Sequence, residues 1–355
     1  MVNRHPVTGF GRNGAQPDSS VLTEESAQVI PLHSGQHDRQ QEPPPVDDHG
    51  ERADAEVVPL PGVAKPPVAP VVADEVDERL PAPLSRALEF VRGRLTGQFQ
   101  VDDFGFDAEL TESVVLPALR MLYDNWFRVS THGEQNLPPG GGALLVCNHS
   151  GTLPIDALMT SVAVHDAHPK HRHLRMLGAD LVFQVPFFGT LARKAGHTLA
   201  CNDDAERLLR GGELVGVFPE GFKGVGKPFA SRYKLQRFGR GGFVSAALRT
   251  GVPIIPCAIV GAEEIYPKIG DIRPLARLLG LPYFPVTPFF PLLGPLGAIP
   301  LPTKWHIEFG EAIRTDLVEG DADDPMLVFN LTDRVRESIQ QMLYARLAER
   351  HSIFS

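Results

Sequence analysis

Residues 143–156 read Ala143-Leu144-Leu145-Val146-Cys147-Asn148-His149-Ser150-Gly151-Thr152-Leu153-Pro154-Ile155-Asp156. The run Ala143 to Cys147 is short and wholly apolar, as in a strand buried on both faces. It stops abruptly at Asn-His. A proline then starts a second apolar stretch, Ile155 to Val164, at helical spacing and with Asp156 on its first turn. A histidine at a strand end and a carboxylate at the start of the next helix can therefore meet across one loop. An imidazole near its ordinary pKa of about 6.5 is the natural base for an alcohol proton, and a carboxylate on its other nitrogen fixes the tautomer and supports the imidazolium.

Leu214 to Phe218 repeats the arrangement and delivers Pro219-Glu220-Gly221 at its carboxyl end, where ligands bind in open α/β sheets. Strand-like segments Leu174 to Leu177, Pro253 to Val260 and Trp305 to Phe309 alternate with helix-like Ala205 to Leu209 and Gly242 to Leu248. This alternation predicts an α/β fold, a central mixed sheet flanked by helices. Asn202-Asp203-Asp204 supplies N-capping chemistry for a helix that ends at Gly211-Gly212. Leu331, Val335, Ile339, Met342 and Leu343 mark a C-terminal amphipathic helix within 315–355. Ahead of the core, in a helical flank over 82–127, Pro83 to Leu95 and Leu110 to Trp126 carry apolar residues at helical spacing. Leu110, Val114, Leu122 and Trp126 form a stripe that packs on the core or lies on lipid.

At these residues the chain resembles the glycerolipid acyltransferase superfamily, whose members carry an Asn-His motif with a downstream Asp and a Phe-Pro-Glu-Gly motif. The resemblance covers roughly Arg128 to Arg314. It includes Gly251-Val252-Pro253-Ile254-Ile255-Pro256-Cys257-Ala258, which looks like the family's last signature block. It implies a single acyltransferase domain with its catalytic core over 128–314. The implied reaction moves a fatty acyl group from a thioester, acyl-CoA or acyl carrier protein, to a hydroxyl of a glycerolipid or lysophospholipid, with no cofactor and no metal. On this resemblance His149 is the general base and Asp156 orients it. Asn148, Gly151, Gly189, Phe218, Pro219, Glu220 and Gly221 bind or position substrate, and backbone amides near Gly151 face the oxyanion.

Two departures from the family pattern matter. Six residues separate His149 from Asp156 where four are common, and Pro154 stands where that Asp would fall, so Asp156 needs a longer loop. In the block Phe183 to Asn202, Pro186, Phe187, Phe188 and Gly189 match, but the customary phosphate-binding Arg is replaced near Cys201-Asn202. The loss points away from lysophosphatidate and toward a neutral alcohol such as diacylglycerol or a long-chain alcohol. With the Leu-Pro-Ile-Asp wording, it makes the chain look closer to the branch of diacylglycerol and phytyl-ester synthases.

Composition sets the limits. Of the 355 residues, Met1 to Pro81 hold fourteen acidic and six basic side chains and twelve of the 33 prolines, without sustained apolar periodicity. Such a stretch cannot offset chain entropy and is expected to be a disordered acidic arm. It accounts for most of the net charge of −9, leaving a nearly neutral domain. Three cysteines, Cys147, Cys201 and Cys257, make no disulfide framework. No charged segment precedes an apolar core at the N-terminus, and no uninterrupted apolar run reaches about 18 residues. A cytoplasmic protein, peripheral at the inner membrane face and without a nucleic-acid partner, is expected.

Two segments bear on partners. Lys223, Lys227, Arg232, Lys234, Arg237 and Arg240 follow the Glu-Gly motif with no acidic residue among them. Lys223, Lys227 and Arg232 are candidate substrate-binding cations for coenzyme A phosphates, an acidic carrier face or anionic headgroups, against the plainer reading of a solvated basic loop. Leu281 to Pro302 is uncharged and rich in Pro, Phe and Leu; its prolines forbid a spanning helix, leaving an interfacial loop or burial against the sheet. His165, His168, His171 and His173 sit in a hydrophilic stretch with no suitably interleaved carboxylate or Cys, so no metal site is expected there. Gly221 to Lys227 follows a P-loop for seven positions, but Pro228 replaces the hydroxyl that magnesium needs. The remaining rival is a catalytically silent lipid-binding or membrane-docking protein with the same fold.

Overall fold

The computed structural model describes residues 82–355 apart from 98, 152, 186 and 240, with side chains from residue 88 onward. The acidic arm expected over 1–81, Thr152, Pro186 of the matched block and Arg240 of the basic stretch lie outside the described residues.

The strands are β1 (Ser130–His132), β2 (Ala143–Cys147), β3 (Leu174–Gly178), β4 (Thr198–Leu199), β5 (Leu214–Val217), β6 (Ile254–Val260), β7 (Gly270–Asp271), β8 (Pro285–Val286) and β9 (His306–Phe309). Seven of them form one sheet in the order β1-β9-β6-β2-β5-β3-β4, while β7 and β8 pair separately. Neighbours are parallel except β6 and β9, so β1 and β9 run against the other five. The sheet is mixed and flanked by helices, as expected.

The apolar strands β2 and β6 lie side by side at the centre, with every residue buried. Successive side chains of β2 serve opposite faces. Ala143, Leu145 and Cys147 join a core with Met159 and Val162 of the helix Ile155–Ala167. Leu144 and Val146 join one with Leu208, Val244, Leu331, Val335 and Ile339, from the helices Asn202–Arg210, Gly242–Thr250 and Pro325–Glu349. The C-terminal helix is thus part of the sheet's second layer. Its start is fixed by Asp324, whose side chain accepts from Met326 N at 2.9 Å.

One local expectation is narrowed and a second is corrected. The stretch 108–126 is helical, but α turns at Ala108–Leu110 and Leu116–Arg120 alternate with π turns at Thr111–Val115 and Met121–Trp126. The wider π turns re-phase the apolar face. Leu116, Tyr123 and Phe127 reach the core, while Val114, Leu122 and Trp126 of the expected stripe stay exposed. The helix Asn202–Arg210 starts without a side-chain cap; Cys201 holds the cap position, and Asp203 and Asp204 act through the dipole from the first turn.

Candidate functional site

β2 ends at Cys147, and the next side chain continues its pairing by other means. Asn148 Oδ1 accepts from Ile259 N at 2.7 Å and Asn148 Nδ2 donates to Ile259 O at 3.0 Å, so the amide stands in for one more residue of the β2–β6 ladder. Both polar atoms are engaged and the residue is fully buried. Asn148 is therefore a support beneath the site and not part of a substrate-facing wall.

His149 follows on this anchored turn. Its Nδ1 lies 2.7 Å from Asp156 Oδ2, confirming that the six-residue loop brings the two together. Gly151 makes the return by adopting φ +74, and Ile155 N closes a turn onto Leu153 O at 2.8 Å. The Asp156 side chain has no exposure; it also accepts from Ser150 N at 2.8 Å and from Ala157 N at 2.9 Å. With Nδ1–H committed to this carboxylate, Nε2 carries the lone pair. The ring stacks on Phe218 at 4.3 Å between centroids and 13° between planes.

The second motif grips the first through the backbone. Glu220 is buried, and its Oε1 accepts from His149 N at 3.0 Å. Its Oε2 accepts from Gln236 N at 2.7 Å and lies 3.4 Å from Lys227 Nζ. Lys227 also donates to Glu263 Oε1 at 3.0 Å, and Glu263 Oε2 accepts from Tyr233 N at 3.0 Å. Burial pushes the Glu263 carboxyl above its usual range, against the pull of Lys227. Gln340 on the C-terminal helix fixes the same loop, accepting from Leu235 N at 2.9 Å and donating to Tyr233 O at 2.7 Å. Gly224 permits this closeness: a Cβ there would stand 2.8 Å from Glu220 Cβ and 3.1 Å from His149 Cβ.

His149 opens on an apolar cavity of about 400 Å³, within the range of small-ligand sites. Its walls come from the carboxyl ends of β3 and β5, from Leu181 and Val182, and from Leu281 to Pro285 with Phe290. The first five residues of the uncharged stretch 281–302, with Phe290, are thus cavity wall, while Leu292, Leu296 and Ile299 are exposed. His197 lines the cavity too, and burial lowers its pKa to about 4. A smaller polar alcove of about 30 Å³ adjoins Ser150 and Gly151 and is lined by Lys227, Arg232 and Lys268.

The expected site residues thus divide. His149, Asp156, Gly151, Phe218, Glu220 and Gly221 come together, with Pro219 behind them accepting from Gly239 N at 3.1 Å. Gly189 does not line the cavity; a Cβ there would lie 2.4 Å from Phe183 O, so it serves the close contact of the helices Asp180–Gln184 and Phe188–Lys194. Lys223 is exposed, Lys227 is enclosed between carboxylates, and Arg232 faces Glu264 at 3.8 Å. Gln236, Gln340, Glu263 and Gly224 escaped the sequence reading: each acts across a long separation and none sits in a periodic pattern.

The family model described as Acyltransferase matches residues 128–260. An uncharacterized protein of Mycobacterium tuberculosis is 52% identical over 94% of this chain and 99% of its own length. A Bos taurus protein named DGAT1/2-independent enzyme synthesizing storage lipids is 24% identical over 64% of this chain and 67% of its own. The crystal structure of the 1-acyl-sn-glycerophosphate acyltransferase of Thermotoga maritima matches with a TM-score of 0.47 and 18% identity, covering 76% of this chain and 90% of that one. The chain belongs to the glycerolipid acyltransferase superfamily, and it is an acyltransferase.

Proposed function

We propose that the chain transfers a fatty acyl group from an acyl thioester to the hydroxyl of a neutral glycerolipid of the diacylglycerol class, with His149 as general base. The observation that carries this reading is the His149–Asp156 pair at 2.7 Å, opening on the apolar cavity. His149 Nε2 takes the acceptor's O–H proton as that oxygen attacks the thioester carbonyl carbon. The tetrahedral adduct collapses with cleavage of the C–S bond, and the thiolate leaves with the proton returned from Nε2. Asp156 holds the tautomer and stabilises the imidazolium. With the His149 and Ser150 amides bonded to Glu220 and Asp156, the Gly151 N–H is the candidate donor to the oxyanion. The cavity takes the acyl chain.

Charge around the alcove is partly offset: Lys268 donates to the Gly226 carbonyl at 2.7 Å, and Glu264, which Arg232 faces, is itself paired with Arg350 at 2.7 Å. Lys227 is neutralised by Glu263 and Glu220, and Arg232 faces Glu264. The alcove has room for water-sized groups, which suits a hydroxyl arm of glycerol. The name of the bovine relative, an enzyme synthesizing storage lipids, points the same way. Exposed Lys223, Lys234 and Arg237 suit the anionic carrier of the thioester, coenzyme A or a carrier protein.

The protein works at a membrane surface in this reading. Among the described residues no helix is long and apolar enough to cross a membrane. Phe187 is 89% exposed and Leu278 81%, and Phe222, 49% exposed, lines both the cavity and an adjoining open cleft bounded by Gln184 and Gly280. An apolar rim around an apolar cavity suits extraction of lipid from an interface.

The test supplies labelled long-chain acyl-CoA to the purified chain with vesicles carrying diacylglycerol, monoacylglycerol, a fatty alcohol or lysophosphatidate. Diacylglycerol is expected to be labelled at least about tenfold faster than lysophosphatidate. The reverse preference overturns the acceptor assignment.

A further inference from the structure

Nine residues beyond Asp156 on the same helix, about 14 Å along its axis, His165 closes a cluster that takes no part in acyl transfer. One ring nitrogen each of His165 and His173 and a carboxylate oxygen of Glu112 lie within 4.8 Å of one another. The three residues come from separate segments. Glu112 belongs to the π turn Thr111–Val115, His165 to the last turn of Ile155–Ala167, and His173 immediately precedes β3. The carboxylate of the trio is thus delivered by the N-terminal helical stretch, while the local Asp166 is held by Arg120.

The geometry suits a tetrahedral ion. With bonds of about 2.0–2.1 Å, adjacent ligand atoms of such an ion stand about 3.3 Å apart. His173 Nε2 and Glu112 Oε1 are already 3.2 Å apart. The remaining separations, His165 to Glu112 and His165 to His173, need to close by about 1.5 Å at most, by rotation of Glu112, which is 58% exposed, and of the His173 ring. The His165 and His173 rings lie 5.2 Å apart at 39°. His165 Nδ1 is 3.0 Å from Asp166 Oδ1, and Asp166 is held by Arg120 at 2.6 and 3.0 Å. A carboxylate on one imidazole nitrogen is the outer-shell partner that presents the other nitrogen to a metal.

We infer that Glu112, His165 and His173 form a binding site for a divalent transition metal, zinc by its ligand types, that clamps the 108–126 stretch onto the catalytic core. Two imidazoles and one carboxylate leave a fourth position for water on the solvent side, where Glu112 is exposed. The ion joins the 108–126 stretch to two neighbouring segments of the core more than fifty residues further on, so its effect is on stability.

The test uses the full chain without a histidine tag, stripped with a chelator and titrated with zinc against a chromophoric competitor, with cobalt as a spectroscopic probe. One zinc per chain is expected at micromolar affinity or tighter, with the intense visible bands of four-coordinate cobalt and a rise in Tm of about 5 °C at saturation. Glu112→Gln, a surface change that spares the fold, and His173→Ala should each weaken binding at least about tenfold. His5, His33, His37 and His49 are common to all variants and give the background. The absence of saturable 1:1 binding, or unchanged affinity in Glu112→Gln, overturns the inference.

Discussion

Glu220 Oε1 holds the backbone N–H of His149 at 3.0 Å, across 71 residues of sequence. The two motifs are one device: the glutamate of the second sets the backbone from which the imidazole of the first projects. Glu220→Ala leaves the His149 and Gln236 amides without their partner and Lys227 with Glu263 as its remaining carboxylate, at a cost of about 1–3 kcal/mol. Denaturant unfolding should register that loss, and kcat should fall about a hundredfold because the base is misplaced. Glu220→Gln keeps an acceptor for one amide and turns a donor toward the other or Lys227, so it should fall between wild type and Glu220→Ala on both scales.

Asp156→Asn tests the tautomer. The amide keeps the shape of the side chain but no longer forces the proton onto His149 Nδ1, so Nε2 loses its claim to the lone pair. kcat should drop on the order of 10³-fold with KM little changed and the fold intact by circular dichroism. A variant with wild-type kcat would separate Asp156 from the chemistry.

Gly224→Ala is a small change with a large expected effect. The added methyl meets Glu220 Cβ at 2.8 Å and His149 Cβ at 3.1 Å, and both belong to buried or anchored residues. Overpacking of this kind costs about 1–3 kcal/mol. kcat is expected to fall at least about tenfold, since the displaced residue is the base itself. Unaltered kinetics would show that the loop yields without moving His149.

Stability on the acid side should report His197. Burial lowers its pKa from 6.5 to about 4, so on acidification the unfolded chain takes up this proton first. Its contribution is complete above about pH 6.5, declines as pH falls, and amounts to about 2 kcal/mol lost by pH 5. Urea unfolding at pH 7 and pH 5 should show that difference in wild type and a difference smaller by about that amount in His197→Gln.

The central strands were legible because β2, β5 and β6 are short apolar runs broken by polar or turn residues, a pattern that burial on both faces imposes. His149 and Asp156 were legible as a motif, and the left-handed Gly151 explains how the longer loop still closes. The roles of Asn148 and Glu220 were not. Both look like substrate-facing polar groups in sequence, but each satisfies backbone groups on a distant segment. Lys227 reads as a free cation until Glu263 arrives from beyond β6. The π turns in 108–126 leave no compositional mark, and they decide which residues reach the core.

The most direct test of the central claim is acyl transfer from labelled long-chain acyl-CoA to diacylglycerol in vesicles, by the wild-type chain and by His149→Ala, with donor binding measured alongside. The account predicts a labelled ester with wild type and a rate lower by about 10³-fold in the variant, with donor affinity preserved. Undiminished transfer by His149→Ala would contradict it.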